Sequence, residues 1–247
     1  TDKTYFLTNI LPQLSFVYII AFLLMQIDAK WQLLVSFAMI IISDLLYHFW
    51  PAEGFNMPYT PDHNFGSWFD MATVGHLHPY HWVTFNAIPT CAHIIWGVIA
   101  GKMLMKDWSH KKKFLIMFII GVLGVGIGYA MDSFIPMIER TSTSSFVIFA
   151  GGWCFVAIAF SYLLIDVMNF KKFAKFFAIV GMNPIFIYLF VMLGGRQLLT
   201  RMARPFTYRL FSWGGDILIN MVTITVVAAM VWYISYFLYK RKIFIKL

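Results

Sequence analysis

The sequence predicts an all-α protein, a polytopic bundle of about seven transmembrane helices with an amphipathic segment at the membrane interface. Of its 247 residues, 60% are hydrophobic and only 12% are charged, and the mean hydropathy is +0.74. The apolar residues form runs that are long enough to cross a bilayer as helices. Because soluble domains do not carry so many long apolar runs, we expect an integral membrane protein whose first partner is the lipid bilayer.

Seven runs reach the length of roughly 20 residues that a membrane-spanning helix needs. They lie at about 9–27, 31–50, 84–105, 113–135, 144–168, 173–192 and 218–239. We expect them to form a single transmembrane domain over residues 1–247. The chain begins at Thr1 and a hydrophobic run opens almost at once, so we also expect it to be the C-terminal part of a longer protein.

Basic residues set the predicted orientation of the bundle. The polar loop 51–83 contains no Lys or Arg and should face outwards, whereas the lysine-rich links and the C-terminal tail should face the cytoplasm. With that orientation, 13 of the 19 basic residues lie inside. The net charge of +8 therefore reflects topology, and we expect no nucleic-acid partner. The pattern predicts a cytoplasmic C-terminus.

The second crossing and the loop after it carry the first candidate groups for chemistry. Asp44 and His48 lie one helical turn apart near the outer end of the crossing, so the carboxylate can orient the imidazole. A structural ion pair would use the same spacing. In the loop, His76, His78 and His81 have spacing that could bind a metal. No cysteine or carboxylate cluster completes such a site, and we predict no metal.

The third crossing carries a polar stripe. Its members fall on one helical face and are Asn86, Thr90, His93, Gly97 and Gly101. Polar groups at membrane depth rarely face lipid, so the stripe should face other helices. His93 could act as a general base, as a ligand or as a hydrogen-bonded core residue. Lys102 ends the stripe at the cytoplasmic surface, where an ammonium group can hold a phosphate.

Glycines and hydroxyl residues mark the fourth and fifth crossings. The glycines of the fourth crossing predict close helix packing; they are Gly121, Gly124, Gly126 and Gly128. The segment 136–152 then sets five consecutive hydroxyl residues at the mouth of the fifth helix, running from Thr141 to Ser145. The first three can cap the free N–H groups of that helix. Alternatively, the hydroxyls line the mouth of a ligand pocket, which Gly151 and Gly152 would let a ligand approach.

The last third of the chain contains a break and an arginine-rich segment. Asn183 and Pro184 interrupt the sixth crossing, where proline frees a carbonyl and the amide offers a donor and an acceptor. The external segment 193–217 is too rich in arginine to span, and its apolar residues alternate with arginines. We expect it to lie flat in the outer interface. Arginines solvated among lipid head groups are favoured there over an anion-binding site.

Taken together, these motifs resemble the heparan-alpha-glucosaminide N-acetyltransferase family of polytopic membrane enzymes and its bacterial relatives. The likeness consists of short pieces scattered over nearly the whole chain. They are Gly97 to Lys102, the Pro136 segment running into Thr143 to Val147, Ile165 to Val167, Gly181 to Asn183 with Ile187 and Tyr188, Tyr239 to Lys246 and, in the first crossing, Asn9 to Gln13.

The resemblance implies an enzyme that takes an acetyl group from cytoplasmic acetyl-CoA and moves it to an amino sugar, such as a cell-surface glycan, on the opposite face. The family's catalytic histidine lies upstream of the matching region, so no catalytic residue is transferred. The local candidates are Asp44, His48 and His93. The candidate cofactor-binding residues lie within the matching pieces and are Gly101, Lys102, Thr143, Ser145 and Asn183. The resemblance to bacterial members implies a location in a bacterial inner membrane, and a homo-oligomer is a further expectation.

Two other functions fit the same residues. A transporter without chemistry would use the broken sixth helix and the polar groups inside the bundle. A haem or quinone protein would use His48 and His93, which come from separate helices.

Overall fold

The computed structural model describes residues 10–245, which form ten α-helices and no strand within that range. The α-helices are α1 Ile10–Leu24, α2 Ala29–Phe49, α3 Phe65–Thr73, α4 Ala87–Met105, α5 His110–Met131, α6 Ser144–Tyr162, α7 Lys171–Gly181, α8 Pro184–Met192, α9 Gly195–Phe211 and α10 Gly215–Lys240. Short 3-10 turns at Thr84–Asn86 and Ser212–Gly214 and a π-helical turn at Leu163–Val167 connect or extend them. The all-α prediction is confirmed.

Among the described residues, five helical stretches are long and apolar enough to cross a membrane, and six if one bent pair counts as a span. The five are Ala29–Phe49, Thr84–Met105, His110–Met131, Ser144–Val167 and Gly195–Lys240. Helix α1 is apolar but has only 15 described residues. The predicted crossing at 173–192 is broken, because α7 and α8 meet at 64°. Pro184, the first residue of α8, lacks the N–H that would continue α7.

The chain divides into two compact units where the sequence predicts a single domain. The first unit ends at Val167, the last residue of the π-helical turn, and the second begins at Met168. The link that follows, Met168 to Phe170, is short, and it contains Asn169 with a positive φ of 55°. Each unit has its own buried cluster of apolar side chains.

In the N-terminal unit, α5 and α6 pack at close range, as the glycines predict. A Cβ atom added at Gly152 would lie 2.5 Å from the backbone N of Val125, and one added at Gly128 would lie 2.6 Å from the backbone N of Phe149. Only glycine allows two backbones to approach so closely. Gly126 of the same stripe faces open space instead. The core beside this pair includes the buried Ile95, Trp96, Met117 and Val147.

The loop between α2 and α4 is ordered by an aromatic cluster and by one carboxylate. The rings of Trp50, Phe65 and Phe85 are packed together, with centroids 4.7 Å apart in two pairs. Asp70, near the end of α3, accepts hydrogen bonds from the backbone N–H of Thr84 at 3.1 and 3.2 Å. These contacts hold the loop against the first turn of the third predicted crossing.

In the C-terminal unit, α9 folds back along α10. Thr207 and Thr223 are joined by a hydrogen bond of 2.6 Å, and Leu199 and Ala203 are buried in one cluster with Val227. Residue numbers that fall on α9 while they rise on α10 show antiparallel packing. Most of the segment 193–217, which is predicted to lie flat at the interface, is one arm of this helical hairpin.

Candidate functional site

A cavity of about 270 Å³ lies between the loop 51–83 and the segment that leads into α6. Its walls carry one aromatic ring and several polar groups, and the lining residues are Tyr59, Pro61, Asn64, His81, Met137, Ile138, Glu139, Arg140 and Thr141. The Thr141 hydroxyl is buried and has no hydrogen-bond partner within residues 10–245. A polar group in that state is available to a bound molecule.

Asp44 stands beside this cavity. Its carboxylate interacts with the hydroxyl and the backbone N–H of Ser144, the first residue of α6, and with the His48 imidazole one turn along α2. The Ser144 hydroxyl is buried and makes no hydrogen bond of normal geometry in the described chain. Tyr59, in the cavity wall, also interacts electrostatically with this carboxylate. Burial and the negative charge of Asp44 raise the pKa of the Tyr59 phenol. Asp44, His48, Tyr59 and Ser144 are called the outer cluster below.

The hydroxyl segment is built differently from a simple cap. Thr143 is the N-cap residue of α6, yet its side chain makes no capping bond. Its hydroxyl donates to the Pro136 carbonyl at 2.8 Å, accepts from the Ile138 N–H at 3.0 Å and lies 3.2 Å from the Ser145 hydroxyl. Neither Thr143 nor Ser145 lines the cavity. Thr143 instead holds the backbone of Ile138, which is a lining residue.

The three loop histidines lie near carboxylates but do not form a metal site. His81 pairs with Asp62 at 2.7 Å, and Asp70 interacts with His76. Burial and the two neighbouring histidines lower the pKa of His78. In the part of the chain that the structure describes, no group of three or more His, Cys, Asp or Glu side chains could hold a metal ion.

The polar part of the stripe on α4 faces neighbouring elements. Asn86 accepts from Gln13 of α1 at 3.0 Å and donates to the Arg140 carbonyl at 3.2 Å. The hydroxyls of Thr90 and Ser142 are 3.1 Å apart. His93 Nε2 lies 2.9 Å from the Val147 carbonyl, the geometry of a hydrogen-bonded core residue. Beyond His93 the stripe changes character, because added Cβ atoms at Gly97 and Gly101 would meet nothing within 4 Å.

A second cavity of about 280 Å³ lies at the other end of α6. It is lined by Leu104, Ala157, Ile158, Ser161, Tyr162, Ile165 and Asp166. The Tyr162 hydroxyl is 2.6 Å from His110 Nδ1 at the start of α5. The π-helical turn places Ile165 and Asp166 in this wall, and such turns often occur at functional sites. About 27 Å of helix separates Ser144 from Tyr162.

Lys102, which the sequence analysis offered as a phosphate-binding residue, and three other lysines near helix ends have partners in the protein. Lys102 Nζ donates to the Met25 and Ile27 carbonyls at 3.0 and 3.2 Å, and Lys113 Nζ donates to the Leu104 carbonyl at 2.7 Å. Both therefore satisfy carbonyls at helix ends. Lys106 lies over the Trp108 ring at 4.6 Å. In the C-terminal unit, Lys175 lies 6.0 Å from the Tyr239 ring.

Asn183 is fully buried between α7 and α8. Its Nδ2 donates to the Ile243 carbonyl at 3.1 Å and its Oδ1 accepts from the Ile245 N–H at 2.8 Å. The amide thus pairs with the backbone of the C-terminal tail. This arrangement differs from the pocket-lining position expected from the sequence.

Comparison of the chain with protein-family models and with curated proteins gives no match. The candidate site therefore rests on its own geometry. The sequence analysis selected Asp44 and His48 but missed Tyr59, His110 and Tyr162. Tyr59 comes from a loop whose path has no sequence pattern, and the contact between His110 and Tyr162 joins residues 52 positions apart. The one local signal for the second cavity was Asp166 at the end of an apolar run.

Proposed function

We propose that this protein is a membrane acetyltransferase that moves an acetyl group from acetyl-CoA on the cytoplasmic side to an amino sugar on the outer side. The outer cluster carries the proposal. It places a carboxylate and an imidazole beside a polar cavity whose wall includes the unbonded Thr141 hydroxyl and the exposed Arg140 and Glu139. Such a wall suits a ligand rich in hydroxyl groups, and the Tyr59 ring offers a face for a sugar.

Acetyl transfer to an amine requires one proton acceptor. The proposal requires the thioester of acetyl-CoA to be brought through the bundle to the outer cluster. There the acceptor's amine attacks the acetyl carbonyl, the new C–N bond forms and the C–S bond of acetyl-CoA breaks, with the thiolate taking up a proton. The His48 imidazole can accept the proton that the nitrogen loses. The Asp44 carboxylate orients the ring and stabilises the imidazolium that results. Acetyl-CoA supplies only the activated acetyl group.

The acetyl donor would bind at the second cavity. The second cavity, beside the His110 and Tyr162 pair, lies at the opposite end of α6 from the outer cluster. Lysines 106, 111, 112 and 113 are close to it in sequence, and their ammonium groups keep N–H donors for phosphate oxygens. An acyl donor at that end and an acceptor at the other is the arrangement that the proposal requires.

The test measures transfer of a radiolabelled acetyl group from acetyl-CoA to glucosamine by the purified protein in liposomes. General-base groups contribute about 10²–10⁴ to the rate. We expect Asp44→Asn and His48→Gln to lower kcat by about 100-fold with little change in KM for acetyl-CoA. Asp28→Asn is the matched control, because Asp28 is an exposed carboxylate at the other end of α2. Equal turnover in all three variants would overturn the role of the outer cluster.

A transporter without chemistry is the second candidate, and the 64° break between α7 and α8 favours it. Glucosamine counterflow in the same liposomes without acetyl-CoA separates the two. Uptake that needs no acetyl donor and yields unmodified sugar would support transport and contradict the enzyme.

A further inference from the structure

A groove of about 970 Å³ lies between α9 and α10 in the C-terminal unit, closed on one side by α7 and α8. Its volume lies at the upper end of the range for small-molecule sites. One wall is formed by Arg196, Arg201 and Arg204 together with Gln197 and Thr200, all from α9. The groove is therefore strongly basic along one helix.

The opposite wall is mostly apolar, although Asn220 and Thr223 of α10 also line the groove. It includes Phe176, Val227, Val231 and Trp232. The Phe176 and Trp232 rings are stacked 5.1 Å apart, and the Trp232 indole N–H donates to the Phe176 carbonyl at 3.1 Å. The indole nitrogen is thus already bonded, and the rings offer only apolar faces. A ligand that fills the groove must be charged on one side and apolar on the other.

The three arginines have no acidic partner. In residues 10–245, no carboxylate lies within ion-pair distance of any arginine. Antiparallel packing with α10 sets them beside a helix that is apolar enough to cross a membrane. Charged side chains at such a position normally pair or line a cavity that holds their partner. The positive charge of the three arginines therefore favours an anionic ligand in the groove.

We propose that this groove binds an anionic membrane lipid, with its phosphate on the arginines of α9 and its hydrocarbon against the apolar wall. Guanidinium groups bind phosphate oxygens in pairs of hydrogen bonds, and basic pockets between transmembrane helices are known binding sites for lipid head groups. A soluble phosphate ligand would leave the apolar wall without a partner. The inference does not depend on the acetyltransferase proposal, because it concerns binding in the other unit.

Trp232 provides a local reporter of the bound lipid. We would titrate the purified full chain, in a neutral detergent, with phosphatidylglycerol that carries brominated acyl chains, which quench nearby indoles. Wild-type protein should show saturable quenching, and brominated phosphatidylcholine should need at least about tenfold more lipid. Trp232→Phe should remove the saturable part, which places the lipid in the groove.

Charge and shape are then tested separately. The double change Arg201→Gln with Arg204→Gln should weaken phosphatidylglycerol binding by about tenfold or more. Arg209→Gln should bind as the wild type, because Arg209 is an arginine of α9 outside the groove lining. Ala228→Phe, which fills the groove and leaves the charge unchanged, should also weaken binding. Circular dichroism and gel filtration confirm that each variant is folded.

The inference would be overturned by equal quenching by the two lipids, by saturable quenching that survives in Trp232→Phe, or by unchanged binding in the folded double arginine variant. Displacement of the brominated lipid by free coenzyme A at micromolar concentration would also overturn it, since the groove would then be a site for a soluble phosphate.

Discussion

At the scale of single residues, Asn183 shows how a polar side chain at a helix break can serve the fold. The buried amide uses Nδ2 and Oδ1 to hold the backbone at Ile243 and Ile245. Asn183 and its proline neighbour were visible in the sequence, but a partner 60 positions away was not. Periodicity is detected within windows of about 11–18 residues, so it cannot identify a contact at that separation.

Asn183→Leu should therefore lower stability rather than catalysis. The substitution leaves the Ile243 carbonyl and the Ile245 N–H without their hydrogen-bond partner. An unsatisfied buried polar group costs about 1–3 kcal/mol of folding free energy. The expected result is a lower Tm with kcat per folded molecule unchanged. A folded variant with normal Tm and lost turnover would return Asn183 to the acyl-transfer site.

Asp70 gives a prediction for pH. Burial raises the pKa of its carboxyl, although the Thr84 N–H donates to it. A carboxyl with a raised pKa in the folded state favours folding most fully below its unfolded pKa, and this contribution is lost as pH rises through the folded value. We expect wild-type Tm to fall from about pH 4 upwards relative to Asp70→Asn, which keeps a carbonyl acceptor. Parallel Tm curves for the two proteins would contradict this.

At the scale of helices, the apolar runs of the sequence predicted the spans because membrane crossing depends on length and composition. The break in the sixth crossing was predicted from Pro184, whose missing N–H is a local signal. The hairpin of α9 and α10 was not predicted, because it depends on packing between helices, such as the contact of Thr207 with Thr223. Because α9 is rich in arginine, the sequence predicted an interfacial segment there and gave no indication of a hairpin.

The glycine contact of α5 and α6 is the sharpest test of helix packing. Gly152→Ala places a Cβ 2.5 Å from the Val125 backbone N, so the helices must separate. We expect a loss of about 1–3 kcal/mol in stability, as for other overpacked cores. Gly126→Ala, on α5 but facing open space, should be neutral. Equal Tm values for both variants would show that the close approach is not needed.

Lys102 links α4 to the end of α1. Its ammonium group satisfies two carbonyls and lies at the negative end of the α1 dipole. We expect Lys102→Ala to lose about 1 kcal/mol of stability, and Lys111→Ala, in the first turn of α5, to lose none. A tenfold rise in KM for acetyl-CoA at unchanged stability would instead assign the ammonium to a phosphate.

At the scale of the molecule, orientation in the membrane decides which cavity faces which compartment. Thr73 is exposed on the loop of the outer cluster, whereas Ser67 in the same loop is buried. In a Cys154→Ser background, an impermeant thiol reagent should label Thr73→Cys in intact cells and Ser109→Cys only after lysis. Ser109 caps the start of α5 at the opposite end. The reverse labelling would place the outer cluster in the cytoplasm.

The account of function rests on transfer between the two ends of α6. Its most direct measurement uses sealed proteoliposomes of known orientation, with acetyl-CoA on the side where Ser109→Cys is labelled and glucosamine on the side where Thr73→Cys is labelled. We predict N-acetylglucosamine on the Thr73 side, and at least about tenfold less of it when donor and acceptor exchange sides. Product that forms only when donor and acceptor share one side would contradict transfer across the membrane.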